Sequence, residues 1–388
     1  MRTYASVIAV NRSAKTYSFV VLVAMALLSL HCMMPSAVNA AEGKDSFTIV
    51  VLPDTQYYSQ DNPQLFDSQV QWIVENKEEL DIAFVTHEGD LVQSYSNDSE
   101  WQNASNAMGV LDGEVPYGVL PGNHDFQQSD DYTVYVKQAV RVVDIMVPLV
   151  VLPRVYDGEA SELYNTYFPH SRYEGEPWYG GHYGDNNMNS YQLFSAGGDA
   201  YIILHIQYNP SDLVLEWANS MLSDYSTRRA IVTTHSLLDP DGERNAIGDR
   251  VFESLKGNDN LFLMLGGHMH AEAMRCDVVD GRKIYQLLAD YQTRSDGGEG
   301  WLRLMRFVPS EDKVYVRTYS PHLGRYETDQ DSEFVLDYAT EPGFTDQDSP
   351  SKTDDSSSLW MPAIAGVSAG FGLRVLSRKR GIRLPCRN

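Results

Sequence analysis

Five short fragments of this chain carry the residue types that hold divalent cations: Asp54-Thr55-Gln56, Gly89-Asp90, Gly122-Asn123-His124-Asp125, Thr234-His235 and Gly267-His268-Met269-His270. Carboxylate, amide oxygen and imidazole form a mixed donor set that suits Mn, Fe, Zn or Mg, so ligand type alone does not select the metal. One His-x-His is weak by itself, because an isolated histidine is more often a satisfied core or surface residue. The ordered set of five carries the weight.

The elements that must position these fragments are visible just ahead of them. Residues 47–53 (FTIVVLP), 82–86 (IAFVT), 117–120 (YGVL), 230–233 (AIVT) and 261–265 (LFLML) are apolar runs, several of them rich in β-branched residues and all too short for helices, and read as buried strands. In open α/β sheets, ligands bind outside the carboxyl ends of strands, so residues distant in sequence converge there. Between the strands the spacing turns helical. Asp61 is expected to cap a helix carrying Phe66, Val70 and Ile73, and Ser99 one carrying Trp101, Ala104, Met108 and Leu111. Ser211 opens a third, with Leu213, Val214, Trp217, Ala218, Met221 and Leu222, and Ile247, Val251 and Leu255 mark a fourth. Strand alternating with helix predicts a layered α/β domain.

The order D-x-Q, G-D, G-N-H-D, H, G-H-x-H resembles the calcineurin-like metallophosphoesterase superfamily over residues 47–270, and the strand-rich continuation to about Tyr338 is compatible with that fold's second sheet. The resemblance implies an α/β fold of four layers, α/β/β/α, with a dinuclear metal centre. Carried over residue by residue, it assigns Asp54, Gln56 and His270 to one metal, Asn123, His235 and His268 to the other, and Asp90 to the bridge between them. His124 matches the family's histidine beside the leaving-group oxygen, where an imidazolium acts as general acid. The expected reaction is direct attack of a metal-bound hydroxide on phosphorus, without a phosphoenzyme, as His124 protonates the departing alcohol.

This chain departs from the usual Asp-x-His at Gln56. A glutamine carbonyl coordinates hard cations and binds borderline metals less well than imidazole does, so the first site would be weaker or tuned toward Mn or Mg. The other reading makes Gln56 a hydrogen-bonder to the true ligands.

Substrate contacts are sought in residues 164–191, crowded with aromatics and glycines. Arg172 is a candidate phosphate grip, Tyr179 or Trp178 a stacking surface, and His182 and Tyr57 further contacts; the alternative is a loop held by its own aromatic packing. His87 and Asp125 are candidate supports of the metal ligands, Asp125 by orienting His124 or by capping the next turn. The apolar segment 132–155 reads as a lid, a membrane-touching patch, a dimer surface or plain helix packing.

The ends speak to compartment. A basic region with Arg2, Arg12 and Lys15, an apolar run over 19–30 and small residues up to Ala40 predict a secretory signal peptide over 1–40. The catalytic domain is then expected over 41–339, followed by an acidic Ser-rich linker over 340–358 and an apolar tail with a basic cluster over 359–388, laid out like a sorting or anchoring segment. The protein is accordingly expected outside the cytoplasm: periplasmic, secreted or on the cell surface. Loss of the leader moves the net charge from −23 to −26, an acidity that disfavours nucleic-acid partners and leaves small phosphorylated molecules as the expected substrates. Two functions fit: an exported hydrolase of phosphate monoesters or small diesters, and a catalytically weakened cell-surface binding protein on the same scaffold.

Overall fold

The computed structural model describes residues 46–126 and 162–338, with the backbone of a short hairpin at 141–142 and 145–146. The expected leader, the remainder of the apolar segment 132–155, the linker and the tail lie outside the described residues. The first half of the chain runs β1 (Phe47–Leu52), α1 (Gln56–Asp61), α2 (Pro63–Asn76), β2 (Ile82–His87), α3 (Asp98–Gly109), β3 (Tyr117–Gly118), the hairpin β4 (Arg141–Val142) and β5 (Ile145–Met146), and α4 (Glu162–Tyr167). Then come β6 (Tyr179–His182), β7 (Ser190–Ala196), β8 (Asp199–Ile206), α5 (Asp212–Asp224), β9 (Arg229–Ser236), α6 (Ala246–Leu255) and β10 (Leu261–Gly267). The last third is strand-rich: β11 (Glu272–Val279), β12 (Arg282–Ala289), β13 (Leu302–Val308), β14 (Lys313–Ser320), β15 (Arg325–Tyr326) and β16 (Glu333–Asp337).

Two sheets result. The first is ordered β15-β14-β13-β1-β2-β3, with β16 beside β14, and the second β11-β12-β10-β9-β8-β7-β6. β1 and β2 pair in parallel, as do β8 with β9, β9 with β10 and β10 with β12.

Side-chain alternation along β1 shows why four layers form. Ile49 and Val51 face the space between the sheets, with Phe84, Tyr201, Ile203, Leu263 and Leu265. Val50 and Leu52 point the other way, onto Phe66, Val70 and Ile73 of α2 and Trp101, Ala104 and Met108 of α3. On the second sheet Ile202, Leu204, Val232 and Met264 meet Val214, Ala218 and Leu222 of α5 and Val251, Phe252 and Leu255 of α6. Both faces of the central strands of each sheet are therefore buried, and the architecture is the α/β/β/α sandwich.

Several local expectations are corrected. The strands after Leu302 complete the first sheet and not the second: β13 runs antiparallel to β1, opposing Ile49 to Met305. Asp61 ends α1, and α2 begins instead with Asn62 as cap and Pro63 in its first turn, where the missing N–H costs nothing. Asn97, not Ser99, caps α3, accepting the Ser99 N–H through its side chain. Ser211 does cap α5, accepting the Val214 N–H at 3.3 Å, but Leu213 is 57% exposed. The unassigned His205 ties the sheets together: Nδ1 lies 2.7 Å from Gln192 Oε1 and Nε2 2.9 Å from Thr86 Oγ1, and burial lowers its pKa to about 3.

Candidate metal centre

The ligand candidates gather at or just beyond the carboxyl ends of buried strands, His235 within the last residues of β9 and Gln56 at the start of α1. Asp90 and His268 both hold left-handed backbone, at φ 51° and 71°. Such conformations cost roughly 1–3 kcal/mol each in non-glycine residues and persist where the surroundings over-determine them. Two glycines make room for the carboxylates: a Cβ on Gly122 would lie 2.2 Å from Asp90 Oδ1, and one on Gly267 would lie 2.1 Å from Asp54 Oδ1.

The side chains then meet across the two sheets. His235 is aimed by its Nδ1–H, which donates to the Glu88 carbonyl at 2.9 Å and leaves Nε2 facing Asn123 Oδ1 at 2.9 Å and Asp90 Oδ1 at 3.4 Å. Asp90, His235 and His268 offer ligand atoms within 4.8 Å of one another. Asp54 joins through the backbone, accepting the His268 N–H at 3.2–3.3 Å, and lies 3.4 Å from Gln292 Nε2. The His124 N–H donates to Asp90 Oδ1 at 2.8 Å, and its ring donates from Nδ1 to the Gln93 carbonyl at 3.0 Å.

Acidic side chains accumulate here out of water. Asp54, Glu88, Asp90, Asp125 and Asp290 are all buried. Burial, reinforced by Asp290, Asp90 and Glu88, pushes the Asp54 carboxyl up, and burial raises Glu88 and Asp290 as well. Burial works the same way on Asp90, but His235 and His124 outweigh it and hold that carboxyl below its usual range. Burial and the charge of His235 bring His268 down to about 4, so its ring is neutral at pH 7. Packed acids of this kind call for cations. Gln56 supplies a second sign: its Nε2 donates to Gln93 Oε1 at 3.0 Å, while its buried Oε1 has no hydrogen-bond partner. A buried carbonyl oxygen left without a donor fits a divalent cation.

Other expected residues divide. His270 is 49% exposed, with Nε2 4.0 Å from Asp290 Oδ2, and stands outside the tight group of Asp90, His235 and His268. His87 is a support: Nδ1 accepts the Gly89 N–H, Nε2–H donates to Thr55 Oγ1, and burial lowers its pKa to about 3. Among the described residues Asp125 makes no hydrogen bond to the His124 ring, and the turn it was expected to cap lies outside them. Its carboxylate accepts N–H groups from Leu91, Val92 and Gly122, pinning the Gly122–Asp125 turn to the loop that carries Asp90.

The substrate candidates are largely spoken for by the fold. Arg172 was expected to grip phosphate, but its guanidinium donates to Asp112, Ser105 and the Tyr167 carbonyl and packs over Phe168. Tyr179 is buried and donates its hydroxyl to Asn187 Oδ1, while His182 stacks on His170. Tyr57 packs beside Gly297, where a Cβ would lie 2.6 Å from the tyrosine Cβ. The loop reading that rests on internal aromatic packing is the one the geometry follows.

Sequence reasoning passed over Asp290 and Gln292. Gln292 Nε2 lies 3.0 Å from Asp290 Oδ2, and its own Oε1 is buried without a hydrogen-bond partner. Both follow β12, an apolar run parallel to β10, so the strand-then-acid pattern used for the five fragments applied here too.

The pattern of the calcineurin-like phosphoesterase family matches residues 47–272. The chain is 36% identical over 299 residues to the uncharacterized protein YvnB of Bacillus subtilis, covering 74% of this chain and 21% of that protein. The chain thus spans about a fifth of the length of that relative. Among solved structures, purple acid phosphatase PPD1 from yellow lupin seeds aligns with TM-score 0.46 at 11% identity, over 75% of this chain and 54% of that one. GAP50, the anchor in the inner membrane complex of Plasmodium, aligns with TM-score 0.44 at 11% identity, over 76% and 90%. The four-layer sandwich, the acids and histidines gathered across its two sheets and the family pattern over most of the described chain agree: this protein belongs to the calcineurin-like phosphoesterase family.

Proposed function

We propose that this chain is an exported, dinuclear-metal-dependent hydrolase of phosphate monoesters or small diesters, with a catalytic domain over 41–339 preceded by a cleaved leader and followed by a linker and a surface-attaching tail. The observation that carries the reading is the meeting of His235 Nε2, Asn123 Oδ1 and Asp90 Oδ1, three atoms of metal-binding type held face to face in a buried site. Asp54, Gln56 and His270 would hold one cation, Asn123, His235 and His268 the other, and Asp90 would lie between them. When bound, such a pair of cations activates water and clamps phosphoryl oxygens for in-line displacement.

The chain's own residues do the rest. Glu88 and Asp125 hold the ligand loops through His235 and the backbone. His124 keeps its Nδ1 proton on the Gln93 carbonyl, so Nε2 is the atom that delivers a proton to the leaving oxygen. The overall acidity repels polyanions, which supports small substrates over nucleic acid.

The test is turnover of p-nitrophenyl phosphate and bis(p-nitrophenyl) phosphate with Mn, Zn, Fe, Mg or chelator. Metal-dependent hydrolysis is expected, and His124→Ala should slow alkyl phosphates more than p-nitrophenyl phosphate, whose leaving group needs no acid. No turnover with any metal by folded protein would overturn the enzymatic reading in favour of the binding protein, and equal slowing of both substrate types would remove the acid role of His124.

A further inference from the structure

We propose that His170, Glu174 and His182 form a second cation site, apart from the five metal-binding fragments, for a borderline divalent ion such as zinc, copper or nickel. The three residues come from different places in the fold: a 3-10 turn (His170–Arg172), the residue-174 turn behind it, and the end of β6. Their candidate ligand atoms all lie within 4.8 Å of one another. The two imidazoles stack at 4.2 Å between centroids with their planes 18° apart.

Hydrogen bonding fixes which atom of His182 is bare. Asn187 donates from Nδ2 to the Phe168 carbonyl, so its Oδ1 is the acceptor that takes the Tyr179 hydroxyl proton at 2.9 Å. That hydroxyl can then only accept from His182 Nδ1, 3.1 Å away, and the proton on Nδ1 leaves Nε2 as an open lone pair. His170 is set in a similar way: its Nδ1 lies 2.6 Å from Glu174 Oε1, so donation to the carboxylate leaves its Nε2 open. An imidazole tied through one nitrogen to an oxygen acceptor, with the other nitrogen bare, is the usual condition of a histidine that binds metal. Two imidazoles with a carboxylate beside them suit zinc, copper and nickel better than magnesium or calcium. The framework is stiff, because Arg172, in the same 3-10 turn, is held by Asp112 and Ser105.

The full chain carrying Asp90→Asn, to disable the principal centre, would be dialysed to equilibrium against zinc, and bound metal measured by plasma mass spectrometry. Adding His170→Gln or His182→Gln should remove one zinc equivalent per chain, and Glu174→Gln should weaken that equivalent by about 10–100-fold. Unchanged stoichiometry and affinity in both histidine variants would overturn the proposal. Should the histidine variants fail to fold, the exposed Glu174→Gln decides alone, unchanged affinity counting against the site. The phosphoesterase reading is untouched by either result, since no activity is measured.

Discussion

At the scale of single residues, the glycines say most about the centre. Gly122 and Gly267 stand where any side chain would strike the Asp90 or Asp54 carboxylate, so their role is spatial before it is conformational. Gly122→Ala should displace Asp90 and lower metal-dependent kcat/KM by about 100-fold, the effect of roughly an ångström of misplacement in a reacting constellation. Unchanged kinetics in a folded variant would show that Asp90 tolerates the shift. Most of the ligand candidates could be read from the chain because each ends an apolar run with a chemically distinctive residue. Arg172 misled because a cation among aromatics looks like a phosphate grip, and only the fold shows it holding α3 and the loop after α4 together.

At the scale of elements, strands and helix faces were legible and helix starts were not. Apolar periodicity marks the buried face of α2 and α3, whereas the cap depends on which polar side chain the preceding loop turns toward the free N–H groups. Asn97 therefore displaces the neighbouring Ser99 as cap of α3. Asn97→Ala should destabilise the protein by about 1 kcal/mol in urea unfolding, and Asp61→Ala by much less, because no cap bond from Asp61 to α2 exists. Equal losses for the two would return the capping role to Asp61.

At the scale of the whole molecule, the strongest tension is the set of buried acids against few buried cations; Arg303 is the cation that lowers Glu88. Bound metal should relieve that tension and stabilise the fold. At a concentration 100 times Kd, one ion contributes about 2.7 kcal/mol. For a domain of this size that is a rise in Tm of about 4 °C, read by calorimetry with Mn or Zn against chelator. Identical melting with and without metal would mean that the acids are neutralised by protons alone. The second-sheet expectation holds at this same scale for β11 and β12 but not beyond: the strands from Leu302 onward carry alternation but no address, and they return to the first sheet beside β1.

The chain by itself determined the type of site, since ligand chemistry resides in side chains, and it determined the layered class, since apolar runs followed by polar turns recur with helical segments between them. The tertiary structure alone decided that Asp290 and Gln292 join the site, that Arg172 and Tyr179 serve packing, and that His170 meets His182. The physical reason is that these roles depend on distances between segments far apart in sequence, which no local pattern encodes.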